Sequence, residues 1–344
     1  MPLIIYGKPL GAALPRPLKE LWEFFPPLKE ASMKLRDIPV KLLNPKGLLY
    51  VGQKEYAGTS PVDNSISYLG TDSATTCHIA VLRETGSGAT CIGHFDGSAT
   101  YKGVHGMLKN IMDIAGSVTG RFELTLAGGF NDEKRISSQI SDELLYEFNS
   151  HPQDVHLMCA TISDMNTVMK EGTPFPVIYG LGVDMKHREI FPATFVDRGP
   201  DYPLRNAMRM FDWQDSFPCI YNFHLRRIVV QPFNYCVDDV SCVDKFINLT
   251  DKEILMKFST SPKQEPPNFV EDFRNTFIHI RIHPTPMKSL FKNGLPRYYK
   301  QSPEGISDPK SESKTILELV ISVSKTMVLF ANLYWNQHLE RELN

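Results

Sequence analysis

The chain has 344 residues, 42% of them hydrophobic, enough to bury a substantial core without disulfide staples. Lys and Arg number 37 against 39 Asp and Glu, so charge is nearly balanced and no basic footprint for nucleic acid is present. Six cysteines, at positions 77, 91, 159, 219, 236 and 242, are irregularly spaced, which argues for reduced thiols in an intracellular protein rather than a secreted disulfide framework.

Met1 to Gly7 has neither a basic segment nor a long apolar run, so no secretory leader is expected. Leu18 to Phe25 reads as a short helix stopped by Pro26-Pro27, and Leu28 to Leu35 as a second one. Leu48 to Gln53 is strand-like, and Thr59 to Ser65 is turn chemistry throughout. Cys77 to Arg83 and Ala89 to Phe95 are two apolar strands joined across Glu84-Thr85-Gly86-Ser87-Gly88, a hairpin. Leu108 to Ile114 predicts a helix, Phe122 to Ala127 a strand closed by Gly128-Gly129, and Ser137 to Phe148 an amphipathic helix. Strands follow at His156–Ile162, Pro176–Asp184 and Glu189–Asp197, then a strand–turn–strand over Pro218–Tyr235 and helices at Lys252–Phe258 and Phe269–His283.

Gln301 to Lys314 is rich in Ser, Pro, Glu and Lys and reads as a mobile linker. Ile316 to Trp335 has the length of a membrane span, but Glu318, Ser322, Ser324, Lys325 and Asn332 interrupt it, so a packed amphipathic helix is the expectation. The domain reading is one catalytic domain over 1–300, a linker over 301–314 and a C-terminal helix over 315–344. Hairpins with interspersed helices, and the absence of GxGxxG or GxxxxGK[ST], give an α+β class rather than a doubly wound sheet.

The chemistry concentrates at Leu69-Gly70-Thr71-Asp72-Ser73-Ala74-Thr75-Thr76-Cys77-His78, where small hydroxylated residues run into a cysteine that opens a strand. Such a cysteine meets a cleft beside backbone N–H groups able to hold an oxyanion. Its thiol needs a base, because a free cysteine titrates near pH ~8.5. His78 is adjacent and points to the opposite face of the strand. His94 lies on the returning strand, and a hairpin centred on Ser87 sets residue 77 opposite roughly residue 97, within diagonal reach of His94. Thr71 is the hydroxyl placed to orient that imidazole. Buried cysteines are more often inert apolar side chains, so spacing alone leaves this reading open. Cys91-Ile92-Gly93-His94 with Cys77-His78 also raises zinc, but positions 91 and 94 of a strand face opposite sides.

A resemblance sharpens the choice. Leu49-Tyr50-Val51, Thr59-Ser60-Pro61, Asp72 to His78, Gly88 to Cys91, Gly128-Gly129-Phe130, Phe175 to Gly180, Asp197-Arg198-Gly199-Pro200 and Ser259-Thr260-Ser261-Pro262 together resemble the protein N-terminal asparagine amidohydrolases, over roughly residues 1 to 300. The resemblance implies Cys77 as nucleophile, conversion of N-terminal asparagine to aspartate, and entry of the product into the N-degron route through arginylation. A fainter similarity to bacterial chemotaxis receptor glutamine deamidases falls on Thr71, Cys77, His94 and Gly128-Gly129, and implies a layered α/β/β fold. Under this reading no metal or organic cofactor is required. The partners are proteins or peptides bearing N-terminal Asn, the protein is a monomer, and its place is the cytoplasm with the nucleus as a second compartment. N-terminal specificity needs a carboxylate for the α-ammonium. Asp96 shares the strand face of His94 and is the first candidate; Asp63, on the preceding loop, is the second.

Overall fold

The computed structural model describes residues 3–11, 14–211, 215–235, 240–302 and 305–307. Two of the four sheets among them, with a helical layer, form the frame of the site. The larger sheet has seven strands in the order β2-β1-β10-β9-β7-β8-β5, where β1 is Ile4–Ile5, β2 Lys8–Pro9, β5 Tyr56–Thr59, β7 His78–Glu84, β8 Thr90–Phe95, β9 Phe122–Gly128 and β10 Val155–Ile162. The smaller has five in the order β3-β14-β13-β6-β4, where β3 is Lys41–Leu43, β4 Leu48–Tyr50, β6 Tyr68–Thr71, β13 Leu181–Asp184 and β14 Ile190–Phe195. Both sheets mix parallel and antiparallel pairs.

Strand alternation explains the layering. On β7, Ala80 and Leu82 join one apolar cluster, with Leu21, Leu28, Val104, Leu108 and Leu144 from helices α1 (Glu20–Phe24), α2 (Pro26–Asp37), α3 (Thr100–Ala115) and α4 (Ile136–Ser150). Ile79 and Val81 join another, with Leu49, Leu69, Leu181 and Val183 of the five-stranded sheet. The period of two thus gives helices, sheet and sheet in that order. This is the expected α+β class, in the expected α/β/β arrangement.

Several boundaries differ from the sequence reading. Helix α3 begins at Thr100 rather than Leu108, because Val104 and Met107 pack beneath it and override the weak helix preference of Gly103 and Gly106. The expected strand over 176–184 breaks, because the Asn166 side chain takes both the N–H and the C=O of Ile178. Where a linker over 301–314 was expected, the Arg297–Ser302 and Gly305–Ser307 backbones pair as antiparallel strands beside Arg227–Val230. The rest of that linker and the expected 315–344 helix lie outside the described residues. Among the described residues no helix is long and apolar enough to cross a membrane.

Candidate active site

Strand β7 begins one residue after Cys77, which packs against the cluster of Ile79 and Val81 between the two sheets. His78 falls on the helix side, where its Nε2 lies 2.7 Å from Ser141 Oγ of α4. The β7–β8 hairpin sets His78 opposite Phe95 and Ile79 opposite His94. Continued by one residue, this register places position 96 opposite Cys77, not 97. The difference matters, because a one-residue slip exchanges faces. With 97 opposite, His94 would stand beside Ala80 and point at the helices. The observed pairing puts it on the sulfur's face, diagonal to Cys77.

Thr71 comes from β6, in the other sheet. It is fully buried, and its Oγ1 lies 2.7 Å from His94 Nδ1. The second ring nitrogen, Nε2, is buried with no hydrogen-bond partner among the described residues. Cys77 and His94 line a common cavity of about 350 Å³. Burial brings the His94 pKa down to about 4; Asp96 and Asp72 act against the fall, and Arg209 and Arg198 deepen it. Burial pushes the Cys77 thiol up, Asp96 and Glu265 add to the rise, and Arg209 opposes it. Burial thus favours the uncharged form of both the thiol and the imidazole.

Glycines behind the nucleophile fix its backbone. Gly129 N–H donates to Cys77 O at 2.8 Å, and a Cβ on Gly128, whose φ is +115°, would stand 2.5 Å from that same oxygen. In front of it, the Ala74 and Thr75 amides are already bonded, to Tyr179 O and Ser73 O. The two threonines before Cys77 reach a segment far along the chain. Thr75 Oγ1 donates to Glu265 Oε2 at 3.0 Å, and Thr76 Oγ1 is 2.9 Å from Thr260 Oγ1. The Thr-Thr-Cys-His and Ser-Thr-Ser-Pro strings are thus one contact in space.

Four carboxylates line the cavity: Asp72, Asp96, Glu265 and Asp272. Asp72 accepts from Arg198 at 2.7 Å, and Asp272 accepts from the same guanidinium, so the two carboxylates share one counter-ion. Asp96 accepts from Gln53 Nε2 at 2.8 Å and from the Ser98 amide and hydroxyl. Glu265 accepts from Thr75 and Ser259 hydroxyls, and burial raises its pKa. Among the described residues neither Asp96 nor Glu265 forms an ion pair. Asp63 is elsewhere: buried outside the cavity, it accepts from Thr59 Oγ1, the Ser65 amide and hydroxyl, and Tyr221 OH. Cys91 packs on the helix side while His94 faces the five-stranded sheet, which separates the two residues of the zinc alternative. Among the described residues no three of His, Cys, Asp and Glu are grouped to hold a metal ion.

Sequence reasoning missed Glu265, Arg198 and Asp272. Thr75 and Glu265 are 190 positions apart, and no local pattern announces such a pairing. Arg198 and Thr260 did carry a signal, since both sit in the strings quoted for the family resemblance.

A cysteine, an imidazole and a hydroxyl held between two sheets, beside a cavity lined by both polar and apolar side chains, have the make-up of a hydrolase site. Comparison with known families narrows this. The model of the family described as protein N-terminal asparagine amidohydrolase matches residues 38–308. Curated proteins of that name from Homo sapiens and Mus musculus are each 39% identical over 307 residues, spanning 89% of this chain and 97% of theirs. One from Arabidopsis thaliana is 25% identical over 280 residues, spanning 75% of this chain and 79% of its own. The chain belongs to the protein N-terminal asparagine amidohydrolase family.

Proposed function

We infer that the chain hydrolyses the side-chain amide of an N-terminal asparagine, releasing ammonia and leaving N-terminal aspartate, with Cys77, His94 and Thr71 as its working residues. The observation that carries this reading is the state of His94. One ring nitrogen is held by Thr71 and the other is unpartnered, in a cavity shared with the thiol, within a chain of the amidohydrolase family.

With the proton on Nδ1, donated to Thr71 Oγ1, Nε2 keeps its lone pair and takes the thiol proton. The sulfur attacks the carboxamide carbon, and the Thr76 and Cys77 amides are the nearest candidates to hold the oxyanion. The imidazolium then gives its proton to the departing ammonia. Water, deprotonated by the same nitrogen, cleaves the thioester to aspartate and restores the thiol. Every step is a proton or acyl transfer, so no redox partner enters.

Restriction to the N-terminus follows from the carboxylates without counter-ions. An α-amine titrates near ~8 and arrives charged at neutral pH. Asp96 and Glu265 line the cavity without an ion pair among the described residues, so an ammonium held by either lies in the cavity that also holds Cys77. Asp63, outside the cavity with its oxygens engaged, drops out as a binder. The N-terminal aspartate product is the kind of residue that arginylation would pass on to degradation, the route the family resemblance implies. The test is to incubate the protein with peptides identical except for Asn or Gln at position one and follow the mass gain that accompanies exchange of NH2 for OH. The expected result is conversion of the Asn peptide alone. Equal conversion of both, or of neither by folded protein, overturns the reading.

A further inference from the structure

Three arginines of the cavity's neighbourhood differ in how they are neutralised. Arg198 is held by Asp72 and Asp272, and Arg205 by Glu55 and Asp201. Arg209, at the end of helix α5 (Tyr202–Met210), has no carboxylate among the described residues. Its Nε and Nη2 both donate to Asn206 Oδ1, at 3.0 and 2.8 Å, and Nη2 lies 3.5 Å from Met210 Sδ. Asn206 Nδ2 in turn donates to Thr276 Oγ1 at 2.6 Å, and Thr276 Oγ1 to Asp272 O at 2.8 Å. The guanidinium is thus clamped on one edge by neutral groups that run back to the helix Phe269–Ile282. Arg209, Asn206 and Thr276 all line the cavity that holds Cys77 and His94.

A half-buried cation oriented by neutral acceptors keeps its charge and its remaining N–H donors for something that arrives later. An N-terminal asparagine offers three polar handles: the α-ammonium, the side-chain amide and its own main-chain carbonyl. The first is attracted by the unneutralised carboxylates and the second must meet the sulfur. Only the third is an acceptor without an assigned donor.

We propose that Arg209 is a specificity residue that donates to the main-chain carbonyl of the substrate's first residue, so that asparagine is read at three points. The proposal rests on the N-terminal asparagine reading given above. Three contacts fix the Cα substituents in space, and with them the depth at which the side chain enters. A side chain one methylene longer, as in glutamine, then places its amide carbon past the sulfur. Without the third contact the residue can pivot about its ammonium, and that discrimination weakens.

The experiment is a cycle of two enzymes, wild type and Arg209→Met, against two Asn-starting peptides, one normal and one whose first peptide bond is a thioamide, a poorer acceptor that keeps the planar geometry but is larger at that one atom. Wild-type turnover of the normal peptide, followed by mass, tests the underlying reading by itself. For the proposal, Arg209→Met is expected to lose about ten- to a hundredfold in kcat/KM on the normal peptide, mostly through KM, as fits loss of a charged hydrogen bond. The thioamide is expected to penalise wild type and leave Arg209→Met nearly indifferent, while Arg209→Lys recovers part of the loss. A thioamide penalty equal in both enzymes overturns the proposal. So does a fall in kcat at unchanged KM, which would move Arg209 to the oxyanion. Unchanged melting temperature separates either outcome from misfolding.

Discussion

Replacing Thr71 with Val tests the buried end of the site with little change in shape. The exchange turns a hydroxyl into a methyl of similar size at a fully buried position and so removes the partner of His94 Nδ1. His94 Nδ1 loses its contact at 2.7 Å, and Nε2 has no hydrogen-bond partner among the described residues to compensate. A buried polar atom stripped of its partner costs about 1–3 kcal/mol. If the loss falls on the catalytic orientation of the ring, kcat drops by roughly five- to 150-fold. If it falls on the fold, unfolding shifts by the same free energy. Turnover of an Asn peptide by mass spectrometry and urea unfolding by circular dichroism measure the two shares, with Thr71→Ser as the control that keeps the hydroxyl. A Thr71→Val protein with wild-type kcat and stability would refute the view that Thr71 holds the imidazole.

Cys77→Ala and Cys77→Ser are expected to abolish deamidation in a folded protein, and residual turnover by a pure Ala variant above background would remove the cysteine mechanism. His94→Ala is expected to cripple turnover while His78→Ala costs mainly stability, because His78 bonds Ser141 on the helix side; the reverse pattern would exchange their roles. With free and N-acetylated Asn peptides, Asp96→Asn and Glu265→Gln are each expected to hurt use of the free amine, by up to about 2–5 kcal/mol for the carboxylate that binds it, and to spare the acetylated peptide. Additive effects for both variants would show that neither holds the ammonium. Acid should destabilise the fold: burial holds His78 to about 3 and His94 to about 4, while the unfolded chain protonates near ~6.5. Between those values the unfolded state binds more protons, so stability present above pH ~6.5 is lost as pH falls, by about 1 kcal/mol per imidazole by pH ~5.5. Identical urea midpoints at the two ends of that range would contradict the depressed values.

The part of the site that local pattern could reach was the hairpin. Cys77, His78 and His94 lie within one strand–turn–strand unit, where alternation decides faces and the turn decides register. Even there the register was off by one, since the loop closes between Glu84 and Ala89, with Glu84 N–H bonded to Ala89 O, rather than about Ser87. Asp63 shows where adjacency misleads. It sits on a turn near the site in sequence, yet its oxygens are occupied by Thr59, Ser65 and Tyr221, and it acts as the turn's own organiser. Glu265 and Asp272 were illegible because their importance comes from tertiary contact with Thr75 and Arg198. The pairing of Arg297–Ser302 with Gly305–Ser307 was hidden by the polar composition after Gln301, which marks exposure and not backbone pairing.

His94 belongs to one sheet, with Cys77 just before its neighbouring strand, and Thr71 belongs to the other, so the geometry of the proposed triad depends on how far apart the two sheets stand. The spacing is maintained by side chains that never meet substrate: Ile79, Val81 and Ile92 on one side, Leu69, Leu181 and Val183 on the other. Interiors this close-packed transmit small volume changes rather than absorbing them. Ile92→Val or Val183→Ala is therefore expected to disturb the Thr71–His94 contact, which turnover of an Asn peptide would register. The apolar sandwich serves as a spacer of fixed thickness, and turnover reports its compression as directly as any probe placed inside it.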